Sequence, residues 1–259
     1  MDLTRYIKHD GERPLDKIIT DGGYCSVFRT LACVGDSLAS GELESLDEEG
    51  KKGYHDYFEY SWLQFLARSA GIGKAYNFTR GGMTAKEYME TFAEAKGYWN
   101  PDLAAQGYIM ALGVNDMKHI ELGEASDINL EDYTKNGKTF AGYYGAIIQR
   151  YKAIQPKARF FLVTAPGRGE MGDRHAALLH DIAKLFDFTY VIDLHKHCPD
   201  FDTVHYKDFF LGGHLNVMGY KLFGDIIGSY IDYIIRNNME DFKQVPFIGT
   251  PWHSDKAKW

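Results

Sequence analysis

Thr30-Leu31-Ala32-Cys33-Val34-Gly35-Asp36-Ser37-Leu38 is the stretch on which the fold turns. Residues 30–34 form a short apolar run that stops at Gly35-Asp36, as expected of a strand buried on both faces. A serine directly after such a strand stands where a parallel sheet meets its ligands, at the carboxyl ends of its strands.

Outward from this point, strands and helices alternate. Residues 57–69 carry Tyr57, Tyr60, Trp62, Leu63, Leu66 and Ala67 at helical spacing. Residues 75–78 predict a second strand. Thr84 followed three residues later by Glu87 forms a capping-box signature for a helix running to about Lys96, with Gly97 as its stop. A third strand is centred on residues 108–112. The polar stretch 116–137 predicts a loop with a short helix, and 138–154 predicts a helix closed by Pro156. Arg159 to Thr164 is the clearest strand, stopped by Pro166-Gly167. A helix at 173–186, a strand at 189–193 and a final helix at about 217–236 complete the pattern. Such alternation implies right-handed crossovers and a mainly parallel sheet covered by helices. The expected organisation is a single domain over 1–259, with a core of about 29–237, an irregular lead-in or short hairpin at 1–28 and an irregular tail at 238–259.

Composition narrows the function. The 259 residues are 45% hydrophobic and 25% charged, enough for a packed core. The formal net charge of −7, without a dense basic run, argues against wrapping nucleic acid. No apolar run approaches the ~18 residues that a membrane helix needs. The start lacks a hydrophobic signal core, so the expectation is a cytoplasmic protein with neither a nucleic-acid nor a membrane partner. Cys25, Cys33 and Cys198 give neither an even count nor a C-x-x-C spacing, which predicts no disulfide framework and no zinc ribbon. His195, His197, Cys198 and His205 have metal-ligating types in a spacing that fits no common zinc pattern. Gly35 to Glu42 fails as a phosphate loop, because its second glycine comes one position late and Glu42 stands where lysine belongs.

The residues after the strands have complementary chemistry. Ser37 follows the first strand, Arg80-Gly81-Gly82-Met83-Thr84 the second and Gly113-Val114-Asn115-Asp116 the third. Gly212-Gly213-His214-Leu215-Asn216 precedes the last helix. Serine needs a base to remove its proton, and histidine is the usual one. Acyl transfer also needs donors for an oxyanion, which the Gly82 backbone, the Asn115 amide and the Ser37 N–H can supply. Each residue also has a plainer reading: Ser37 as a helix cap, Asn115 as a turn former, Gly82 as a site of positive φ. Asp36 and Asp116 read as structural acceptors of loop backbone.

These segments resemble the blocks of the GDSL/SGNH hydrolase family. Val34 to Leu38 is similar to the first block, and Asn77 to Thr84, with Gly-x-Thr at 82–84, to the second. Gly113 to Asp116 matches the third, and His214-Leu215-Asn216 with Gly219-Tyr220 the last. The blocks stand in family order across residues 30–236. The resemblance implies an α/β, three-layer, flavodoxin-like fold with a five-stranded parallel sheet, and no cofactor or metal. It implies a serine esterase that hydrolyses a small carboxylic ester through acyl-Ser37, with His214 as general base and Gly82 and Asn115 as oxyanion donors. An acetylated carbohydrate is a candidate substrate; the oligomeric state is left open.

One position departs from the family. Where an aspartate should stand three residues before the histidine, this chain has Leu211. Three explanations stay open: a relocated acid (Asp208, or more distantly Asp200 or Asp202), a backbone carbonyl that leaves a Ser–His dyad, or lost turnover. The last corresponds to an alternative function, an inactive binding module on the same fold. A nucleotide-binding domain is a third reading, weakened by the missing phosphate loop.

Overall fold

The computed structural model describes residues 3–166, 169–200 and 203–252, the side chains of residues 203 and 204 excepted. Nine strands occur among them: β1 (Thr30–Gly35), β2 (Glu42–Leu46), β3 (Lys52–Asp56), β4 (Lys74–Thr79), β5 (Gly107–Ala111), β6 (Arg159–Val163), β7 (Thr189–Ile192), β8 (Phe210–Leu211) and β9 (His214–Leu215). Five form one parallel sheet in the order β4-β1-β5-β6-β7. Counting sheet strands along the chain, this is 2-1-3-4-5, the flavodoxin-like order. The order reverses at β1, so the crevice between the ends of β1 and β5 is the switch point where such sheets bind ligands.

Alternation along the strands builds two cores. Leu31, Cys33, Ile109, Phe161, Val163 and Ile192 face one side, against the helices Trp62–Ala70 and Val217–Asn237. Ala32, Val34, Tyr108, Met110, Phe160 and Leu162 face the other, against the helices Phe140–Ile154 and Glu170–Ala183. The period-2 side-chain direction of a strand accounts for this split.

Local chemistry sets the helix ends. Ser61 Oγ accepts from Gln64 N and caps the helix at Trp62, leaving Phe58–Tyr60 as a separate 3-10 turn rather than part of one helix from 57. Thr84 Oγ1 accepts from Glu87 N at 3.1 Å, the forward half of the predicted capping box, while the Glu87 carboxylate accepts from Arg80 at 2.7 Å instead of closing it. The helix beyond it contains a π-helical stretch, Tyr88–Phe92, which no propensity pattern signals. The lead-in forms turns and a 3-10 helix, Gly23–Val27. The start of the tail is less irregular than expected. It forms a short helix, Met239–Phe242, whose Phe242 is buried beside Phe28, Phe161 and Tyr190.

Two small ribbons lie outside the main sheet. β2 and β3 pair antiparallel with Glu44 opposite Tyr54. β8 and β9 pair with Leu211 opposite His214. Gly41, at φ +78°, turns the chain from the short helix Ser37–Ser40 into β2; a Cβ there would stand 2.2 Å from Tyr57 O. Among the described residues, no helix is long and apolar enough to cross a membrane.

Candidate active site

Ser37 opens a four-residue helix directly after β1. Asp36 precedes it as N-cap and accepts from Leu38 N at 3.0 Å. Asp36 is 1% exposed, and burial pushes its carboxyl up to about 7. Tyr220, in the last block, donates its hydroxyl to Ser37 O (3.1 Å) and Glu42 O (2.8 Å), tying the serine turn to β2 and the final helix.

His214 lies in β9, with its side chain 20% exposed. Its Nδ1 stands 2.9 Å from Glu44 Oε1, and the same oxygen accepts from Gly213 N at 2.6 Å. The other carboxylate oxygen of Glu44 accepts from Lys52 Nζ at 2.9 Å. The bonds from His214 and Lys52 hold the Glu44 carboxyl down at about 2. On the opposite edge of the imidazole, Nε2 is 3.1 Å from Glu42 Oε1. Glu42 is raised above its ordinary value, chiefly by burial. Both ring nitrogens of His214 therefore meet carboxylates of β2, and no hydrogen bond joins Ser37 Oγ to His214 among the described residues. Tyr54 of β3 packs edge-on to the imidazole, with ring centroids 5.8 Å apart.

Among the described residues, the carboxylates that meet His214 come from β2 and not from its own segment. Asp208 is exposed, and its backbone carbonyl accepts from Asn216 Nδ2 at 2.8 Å. Asp202 lies outside the described residues. Leu211 is half exposed and lies opposite His214 in the β8–β9 ribbon. The carboxylate comes instead from Glu44, 170 positions earlier in the chain. The sequence reading missed this because β2 and β3 are charged and short of apolar residues. The only signals were the alternation in Glu42-Leu43-Glu44-Ser45-Leu46 and the turn at Gly50.

The second and third blocks meet through backbone bonds. Asn115 Nδ2 donates to Met83 O at 3.1 Å, which fixes its amide beside the loop of Gly82. One amide hydrogen of Asn115 remains for another acceptor. Gly82 has φ +70°, so its plainer role also holds, and its N–H makes no hydrogen bond among the described residues. The same is true of Ser37 N–H. The neighbouring Gly81 N–H is taken by Asp56 Oδ2 at 3.0 Å, which favours Gly82 as the free donor. Asp56 also accepts from Ser40 Oγ. Asp116 Oδ1 accepts from Ala85 N at 2.8 Å, the structural role expected of it, and burial raises its carboxyl to about 6.

Beside these residues, a cavity of about 70 Å³ opens at the ends of β1, β5 and β6. Among the described residues, no group of three or more His, Cys, Asp or Glu side chains is arranged to hold a metal. His195 pairs instead with Asp173 at 2.7 Å, and His180 with Asp193 at 2.9 Å.

Residues 33–222 match the model of the GDSL-like lipase/acylhydrolase family. The chain belongs to this family. It is accordingly an esterase of the serine-hydrolase type, and the family span reaches from the strand before Ser37 to the helix after His214. Solved structures share the acylhydrolase fold. A family two carbohydrate esterase from Clostridium thermocellum, in complex with cellohexaose, superposes with a TM-score of 0.57 at 15% identity. That match covers 82% of this chain and 65% of the other, so this chain spans slightly under two thirds of that esterase. A structure described as a GDSL-like lipase from Bacteroides uniformis gives a TM-score of 0.53 at 16% identity, over 78% of this chain and 93% of that one. At such identities the likeness shows the fold alone. No curated protein matches the chain in sequence.

Proposed function

We propose that this acylhydrolase cleaves a small carboxylic ester, with Ser37 as nucleophile and His214 as its general base held by Glu44. The observation that carries this reading is the Glu44–His214 Nδ1 contact at 2.9 Å. It restores the acid–histidine pair that the sequence lacks at Leu211 and so speaks against the inactive-module alternative. An acid on Nδ1 fixes the tautomer that leaves Nε2 as the base and stabilises the imidazolium formed on proton transfer.

The cycle follows from these groups. His214 Nε2 takes the Ser37 Oγ proton as Oγ attacks the ester carbonyl. The oxyanion accepts from the Ser37 and Gly82 N–H groups and from Asn115 Nδ2. His214 then protonates the leaving alcohol. In the second half, water attacks acyl-Ser37 as His214 takes its proton, and His214 then returns that proton to Ser37 Oγ as the ester C–O bond breaks and the carboxylic acid is released. Glu42 competes with Ser37 for Nε2, so the productive arrangement has Glu42 withdrawn from the ring. No metal or cofactor enters any of these steps.

An acetylated carbohydrate is the substrate class we favour for the alcohol side. Exposed Tyr54 beside His214, with Tyr57 and Tyr60 also exposed nearby in the chain, supplies ring faces on which a sugar can stack. The cellohexaose bound to the Clostridium esterase is consistent with this reading. The test is hydrolysis of p-nitrophenyl acetate and of acetylated xylan by wild type and Ser37→Ala. Loss of all turnover in the variant, with an unchanged melting temperature, is expected. Full activity of Ser37→Ala would sink the proposal.

A further inference from the structure

The cavity beside the site has walls drawn from the chain neighbours of three site residues. Asp36 and Leu38 flank Ser37, Val114 precedes Asn115, and Leu215 follows His214. Ala111 and Ala165 line it at the ends of β5 and β6. It therefore occupies the β1–β5 switch point, on the side of the sheet covered by Trp62 and Phe223. From this placement we infer that the cavity is the acyl pocket of the enzyme, shaped for an unbranched acyl group of about two to four carbons. The inference rests on the ester-hydrolase reading above and adds the acid half of the substrate.

The chemistry of the walls separates the acyl group from the alcohol. Apart from Asp36 and Thr164, the lining side chains are hydrophobic. Thr164 Oγ1 is already engaged, accepting from His195 N at 2.8 Å and bonded to Asp193. Asp36 Oδ2 is buried without a hydrogen-bond partner among the described residues, a single polar atom for any occupant. A sugar placed here would bury several hydroxyls against hydrocarbon, each costly without a partner. An alkyl chain loses nothing polar and gains from leaving water. Size sets the chain length. A cavity of roughly 150 Å³ holds benzene, so about 70 Å³ admits a few carbons and no ring.

The test uses the full-length protein and p-nitrophenyl esters of two, four and eight carbons. Each methylene that fits should raise kcat/KM about fourfold. Butyrate should therefore exceed acetate by about 16-fold, and octanoate should fall below butyrate. Ala165→Leu and, separately, Ala111→Val should fill the cavity and lower the butyrate-to-acetate ratio at least fivefold. A ratio is unaffected by the fraction of folded enzyme, and two fillings guard against one variant misfolding. Ratios within twofold of wild type in both variants, or undiminished turnover of octanoate, would overturn the pocket and leave the esterase standing. Should wild type cleave none of the esters, the small-ester reading fails. The pocket is then read by saturation-transfer NMR with butyramide, where binding lost in Ala165→Leu supports it and no binding by wild type overturns it.

Discussion

Glu44→Gln isolates the charge that the structure places behind His214. Glutamine has the size of glutamate, and its Oε1 can still accept from Gly213 N and His214 Nδ1, the two bonds now made at 2.6 and 2.9 Å. What disappears is the negative charge facing an imidazolium that exists in full only after proton transfer. Two unit charges about 4 Å apart at an effective dielectric near 20 attract by about 4 kcal/mol. That corresponds to roughly a thousandfold in rate. Because the attraction grows only as the proton moves, it should appear in kcat, with KM changed by less than about threefold. Glu44→Ala also removes the acceptor that orients the ring, and its loss should approach the roughly ten-thousandfold known for triad acids. The assay is p-nitrophenyl acetate hydrolysis under saturating conditions, with circular dichroism to confirm the fold. A folded Glu44→Gln that keeps kcat within tenfold of wild type would refute the reasoning and reduce Glu44 to a partner of Lys52.

The same carboxylate links stability to pH. Its folded value of about 2 lies below the ordinary 4.5, so its contribution is present above pH ~4.5 and is lost as pH falls toward 2. The difference in melting temperature between wild type and Glu44→Gln should accordingly be largest near pH 6 and close by pH 2. Asp36 has the opposite sign: its folded value of about 7 lies above 3.8, so stability is lost as pH rises through 7. Asp36→Asn, which keeps an acceptor for Leu38 N, should melt higher than wild type at pH 8, and equal melting at pH 5 and pH 8 would contradict this. Glu42→Ala frees Nε2 and should raise kcat/KM by roughly two- to tenfold by populating the competent arrangement; a large fall would make Glu42 a participant rather than a competitor. Gly212→Ala should cost stability by about 1–2 kcal/mol in backbone strain at φ +70°. Its Cβ would also stand 1.9 Å from Glu44 Oε2, so kcat should fall with it, as thermal melts and steady-state kinetics together would show.

Residue order alone carried the sheet and singled out the candidate site residues. Four of the five sheet strands are built on short apolar runs, β4 being mixed, and glycine, proline or aspartate follows each within a few residues. Ser37, Gly82, Asn115 and His214 stood out as candidates for a related reason: the first three follow sheet strands and His214 shortly precedes the last helix, and an α/β sheet gathers such positions at one edge. The capping of the helix after Thr84 and the structural roles of Asp36 and Asp116 rest on bonds to near neighbours or to another block of the same edge.

The carboxylate that meets His214 is visible only in three dimensions. Glu44 reaches His214 across 170 positions, through a charged hairpin whose strands look like exposed loop when read in order. The cavity behind Ser37 likewise joins the ends of β1, β5 and β6 to Trp62 and Phe223, and no segment contains its shape. The docking of Phe242 on Phe28 and Phe161 follows the same logic. Local pattern reports which face of an element is buried, because periodicity is set by backbone geometry. Which distant side chain completes a hydrogen bond depends on how whole elements pack, and that is decided by the summed fit of the fold.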